Sequence, residues 1–191
     1  GGLDWEVGQN GRLGISLSYA DTEVDGDGAG NSSTDIESLQ ANIYGDFTGS
    51  KAYLEYLIGL GNNDTSTSRT IDFASATASG SYDSTQFTVA VSAGMPKQIG
   101  ATTFLTPTVG INWTHVAGNS YTETGAGSLN LTVNQEDVDA QIASIGAKLH
   151  NATGSFTTVL RAGLQYDIAG DEAEASATFS GGGATFTTTG A

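Results

Sequence analysis

The sequence contains no cysteine and only 2 prolines among its 191 residues. No disulfide framework and no Cys-ligated metal site can therefore form. Its 27 glycines lack the Gly-X-Y period and the proline of a collagen-like chain. Basic residues are scarce as well: 6 Lys and Arg against 21 Asp and Glu give a formal net charge of -15. A nucleic-acid partner needs clustered cations to neutralise its phosphates, so that class is excluded. Attraction to anionic lipid through a polybasic segment is excluded on the same ground. Long apolar runs are missing too. The longest, Tyr56 to Gly61 (YLIGLG), falls far short of the roughly 18 residues that mark a membrane helix. A transmembrane strand is shorter and faces lipid with only half its residues, so a barrel is still open. The opening GGLDWEVG has neither a basic n-region nor an apolar h-region and reads as a strand, not a signal peptide.

What the chain has instead is an alternation close to period two, the signature of strands. In RLGISLSYA, Leu13, Ile15, Leu17 and Tyr19 alternate with Gly14, Ser16, Ser18 and Ala20. LQANIYGDF sets Leu39, Ala41, Ile43 and Phe47 against Gln40, Asn42, Tyr44 and Asp46, and AYLEYLIGL sets Leu54, Tyr56, Ile58 and Leu60 against Glu55, Leu57 and Gly59. The pattern continues through Val89 and Val91, through Val109, Ile111 and Trp113, and through Leu160 and Leu164. No helical span appears.

The connections carry a second rhythm. QNGR, TGSK, PKQIGAT and HNATGS are short and turn-like, and they alternate with long polar segments near 21–34, 62–83, 116–127 and 169–184. Outer-membrane barrels alternate short periplasmic turns with long extracellular loops in this way. Arg12, Lys51 and Lys97 sit at the short turns, whereas Asp21, Glu23, Asp25 and Asp27 fall in a long segment. Trp5, Tyr19, Phe47, Phe104, Trp113 and Phe156 lie near strand ends, where aromatic girdles belong. The alternative is a soluble antiparallel sandwich acting as an adhesin, but its outer face would carry many Lys, Arg and Glu side chains. Here that face is mostly Gly, Ser, Thr, Ala and Asn, and only 14% of the chain is charged. The fold class is therefore all-β, an antiparallel up-and-down transmembrane β-barrel occupying residues 1–191.

No catalytic constellation, cofactor motif or metal-ligand spacing occurs, and the expectation is that the chain is not an enzyme and holds no cofactor. His115 and His150 read as exposed polar residues. The acidic run from Asp21 to Asp27 lacks the twelfth-position Glu of an EF-hand, where Ser32 stands, and reads as a solvated loop. The functional surface is instead the polar face of the wall. Arg161 is the basic residue in the middle of that face, with Glu37, Asp46 and Glu55 assigned to it on other strands. An inward ion pair or network around Arg161 is expected, because pairing offsets the cost of burying a lone charge.

Several segments resemble one family. TPTVGINWTHVAGNSYTETGAGSLNLTVN is similar to the mid-barrel region of bacterial autotransporter β-domains, IASIGAKL to the next wall strand, and RAGLQYDIAGDEAEASATFSGGGATFTTTG to a late hairpin. GLDWEVGQNGRLGISLSYADTE resembles an early hairpin. The resemblance implies a translocator and anchor in the outer membrane of a Gram-negative bacterium that supports secretion or display of an N-terminal passenger domain. It also implies two further partners, the outer-membrane lipid and the barrel assembly machinery. Members form barrels of about a dozen strands. With about eight or nine strands legible, this chain is expected to be a partial barrel with two unpaired edges. A small OmpA- or OmpX-like barrel with an adhesive or structural role is the alternative within the same architecture.

Overall fold

The computed structural model describes residues 1–26, 31–170 and 173–189. Eight long strands follow one another as an antiparallel meander: β1 (Gly2–Val7), β2 (Gly11–Gly26), β3 (Ser32–Thr48), β4 (Tyr53–Ile71), β5 (Ala76–Gly94), β7 (Thr103–Gly118), β10 (Val138–Thr153) and β11 (Phe156–Asp167). A two-residue strand, β6 (Lys97–Gln98), pairs with β7 inside the β5–β7 turn. Four shorter strands form a second sheet in the order β13 (Phe186–Thr189), β12 (Glu174–Phe179), β9 (Leu131–Gln135) and β8 (Tyr121–Thr122). The only helical pieces among the described residues are two three-residue 3₁₀ turns. Among the described residues β1 pairs with β2 alone and β11 with β10 alone, so the large sheet does not close.

The register keeps every predicted apolar residue on one face. Leu13 opposes Gly45, which opposes Tyr56, Val91 and Ile111 in turn. Ile15, Ile43, Ile58, Val89 and Trp113 form the adjoining row. These side chains stay uncovered: Leu17, Ile43, Leu60, Val109 and Leu164 are between 52% and 77% exposed, as are Leu160 and Ile145. The band spans the nine residues Leu39 to Phe47, the length of roughly 9–11 residues with which a tilted strand crosses a bilayer. Among the described residues the buried hydrophobic ones are only Ile71, Ala78, Val133 and Ala177, and all four lie at the loop end or in the second sheet. A soluble sandwich would bury one face of its main sheet. This wall buries neither with apolar groups, and the sandwich reading fails.

Close approach of strands is secured by glycine facing tyrosine. Gly14 lies opposite Tyr44, Gly45 opposite Tyr56 and Gly94 opposite Tyr53, and in each case the ring occupies the space that a Cβ would need. The aromatic ring covers the bare backbone of its neighbour and pins the register.

The long polar segments are not loops for most of their length. β2 continues to Gly26, and β4 and β5 are 19 residues each, meeting only at a tight turn at Asp72–Ala74. A transmembrane strand needs about 9–11 residues, so half of this hairpin stands beyond the apolar band. Hydropathy alone marks NDTSTSRT and SATASGSY as loop; their Thr-, Ser- and Tyr-rich composition suits a strand wet on one side. The acidic run is likewise strand up to Gly26, and Asp27 lies outside the described residues. On the outward face of these extensions Asp21, Glu37, Asp64 and Asp83 stand in direct cross-strand register. Glu37 is thus misassigned by the sequence reading. It shares parity with Leu39, Ala41 and Ile43, and the unbroken alternation of β3 puts it on the outer face.

Two outcomes follow from this geometry. Val91 points outward and Ser92 inward, where its hydroxyl donates to Glu55 at 2.9 Å. Val91→Arg should cost about 2–4 kcal/mol in lipid-vesicle refolding titrations and Ser92→Arg much less. The second outcome concerns Asp83, whose carboxyl is raised above its ordinary range by a hydrogen bond with Asp64 and then by the charge of that neighbour. A carboxyl raised in the folded state adds stability at pH values below its unfolded range and loses it as pH climbs through the raised value. The β4–β5 ladder around Asp64 and Asp83 should therefore show higher hydrogen-exchange protection factors in mild acid than at neutral pH. Asp83→Asn should raise protection at neutral pH and flatten that dependence.

Candidate functional site

The concave face of the wall carries a continuous polar row. Glu6, Arg12, Asp46, Glu55, Ser92, Gly110, Ser144 and Gln165 are cross-strand partners in sequence from β1 to β11. Toward the loop end the next rows are knitted by side chains. Gln40 donates to Asn42 at 2.8 Å and Asn42 to Ser16 at 3.2 Å; Thr88 and Thr114 share a hydroxyl contact of 3.3 Å. Small hydroxyl and amide groups satisfy one another here, and no buried side-chain nitrogen or oxygen among the described residues lacks a partner. The face is wettable without being strongly charged.

Charge is distributed unevenly along it. Asp4, Glu6, Asp46 and Glu55 occupy the β1–β4 flank, with Arg12 among them bonded to Asp4 at 3.3 Å. Lys148 and Arg161 stand directly opposite each other on the β10–β11 flank. An open cavity of about 660 Å³ is lined by Tyr53 and Glu55 from β4 together with Lys148 and Arg161, which shows how far the sheet curls. A second cavity of about 580 Å³ brings Arg12, Asp46 and Glu55 to face Ser144 and Gln165.

Of the four residues assigned to this face from sequence, Asp46, Glu55 and Arg161 share it and Glu37 does not. The expected ion pair of Arg161 is not formed among the described residues. Four inter-strand steps separate β11 from β4, about 19 Å along the sheet, and its immediate cross-strand neighbour is a lysine. Glu55 accepts from Ser92 instead. Phe104, expected in a girdle, also turns to the concave face, where it packs against His150 with ring centroids 6.4 Å apart.

Two clusters escaped the sequence reading because they depend on register. His115 lies opposite Asp139 and bonds it at 3.3 Å, while Asp139 also accepts from the Trp113 indole N–H at 2.7 Å. Trp113 meets Phe87 edge to face, so an aromatic pair and a polar pair mark the loop-side rim of the outer band. The other cluster joins Arg69 and Glu123, 54 residues apart in sequence. Arg69 Nη2 and Nε donate to the two carboxylate oxygens at 2.7 and 3.3 Å. The Leu131 N–H adds a third bond to Glu123 at 2.8 Å, and Arg69 also reaches the Leu129 carbonyl at 3.1 Å.

This chemistry suits a wall and a passage: lipid-compatible outside, hydrated inside, and stiffened by its own ladder. The profile of the Autotransporter beta-domain family matches residues 1–191, the whole of the chain. No curated protein matches the sequence. Among solved structures, the fold is similar to the translocator domain of autotransporter NalP from Neisseria meningitidis. That similarity has a TM-score of 0.72 and 20% sequence identity and covers 100% of this chain and 73% of that one. The open sheet described above thus corresponds to part of a barrel wall of that kind, and the chain belongs to the autotransporter β-domain family.

Proposed function

We propose that this domain sits in the outer membrane of a Gram-negative bacterium as anchor and translocator for a covalently linked N-terminal passenger. Lipid contacts the outward apolar rows, and the barrel assembly machinery inserts the domain. The carrying observation is the inverted burial: apolar side chains cover the outside of a wall whose inside is a hydrogen-bonded polar face. With its two edges paired, such a wall satisfies its backbone in lipid and leaves a hydrated interior that tolerates a passing chain. The domain carries out no catalysis of its own. An independent adhesive barrel of the OmpX kind would need no upstream passenger, and this is what separates the two readings.

In this reading Asp46, Glu55 and Arg161 line the passage. An epitope placed in the upstream region of the full-length protein should become accessible to antibody on intact cells, and depletion of the assembly machinery should abolish that signal. An epitope held in the periplasm by an inserted barrel would overturn the assignment. The carboxylates of the β3–β4 flank should bias ion passage. Glu55→Lys, alone or with Asp46→Lys, should shift the reversal potential of the purified protein in planar bilayers toward anions. An unchanged potential would place these residues away from the water-filled path.

A further inference from the structure

The second sheet has a place and an attachment that the wall does not need. β8, β9, β12 and β13 turn one face toward the extended β4–β5 hairpin, bringing Tyr121, Glu123, Val133 and Ala177 to it. The hairpin residues they meet point to the concave side. Tyr121 stacks on Tyr82 with centroids 5.0 Å apart, and its ring fills the place of the missing Cβ of Gly80. Burial at this contact pushes the Tyr121 phenol above its ordinary range. The small sheet therefore lies on the inner side of the wall at its loop end, over the mouth.

Its attachments are few and local. Its β8 and β9 are strung between β7 and β10 by the connections Asn119–Ser120 and Glu136–Asp137, and its β12 and β13 follow β11. Ser79 and Thr124 exchange a pair of backbone bonds of 2.9 and 2.8 Å, and Asn119 donates to the Asp83 carbonyl. The strongest fastening is the Arg69–Glu123 pair, with Glu123 only 5% exposed. Such a bidentate pair adds little net stability over an apolar contact, but loss of Arg69 would strand the buried Glu123 carboxylate. We infer that the β8–β9–β12–β13 sheet is a cap that closes the outer mouth, with Arg69–Glu123 as its latch, and that the cap must stand open while a passenger leaves.

This rests on the translocator reading, and the two are tested separately in the full-length protein. Passenger display on intact cells reports translocation; single-channel conductance and cell sensitivity to a bulky, normally excluded antibiotic report the seal. Glu123→Ala should raise conductance and sensitivity severalfold while display and heat-modifiable mobility stay as in the parent. The exchange Arg69→Glu with Glu123→Arg should bring both back toward the parent values. The double variant Ser79→Cys, Thr124→Cys should lower display under oxidising conditions and recover it on reduction. Parent-like conductance and sensitivity in an inserted Glu123→Ala protein, or full display with the cysteines crosslinked, would overturn the cap. Absent display in the parent itself would overturn the translocator reading instead.

Discussion

A bilayer offers no water to an unpaired amide or carbonyl, so a strand that enters it depends on its neighbours for every backbone hydrogen bond. The interstrand ladder is the interaction from which the rest of this structure follows. It runs without interruption from β1 to β11 and fixes each residue opposite a defined partner. Once that register is set, parity decides everything about the two faces. Odd residues of β2 and β3 go to the outer face and even ones to the concave face, and a one-residue slip would exchange them.

The same constraint explains the unusual composition. The wall has no apolar core to pack, so side-chain size is selected against the curvature of the sheet and against its immediate cross-strand neighbour. Gly14, Gly45 and Gly94 each leave room for a tyrosine ring, and the polar interior is built from Ser, Thr, Asn and Gln that bond one another. Beyond the membrane the physics reverts to that of a soluble protein. There the chain buries Ile71, Ala78, Val133 and Ala177 and a paired charge between two small β layers. The molecule joins two folding regimes along single continuous strands, with Trp113, Phe87 and the His115–Asp139 contact at the level where one gives way to the other.

Period-two alternation was enough to determine the all-β meander, the identity of the outward rows and the rhythm of short and long connections. Each of these is a property of a strand and its nearest neighbours, and sequence spacing records it directly. Asp46, Glu55 and Arg161 were legible on the concave face for that reason. Glu37 follows the parity of β3 to the outer face, although its polarity suits the concave one. The long polar segments were read as loops because hydropathy carries no information about ladder pairing, and only the pairing of β4 with β5 shows that they continue as strands. Tertiary structure alone decided that Arg161 faces Lys148 and not an acid, and that Arg69 meets Glu123 across 54 residues. It also decided that residues after β11 return to pair with β9 above the wall. These depend on the curl of the sheet and on which strands become neighbours in space, and no local period encodes either.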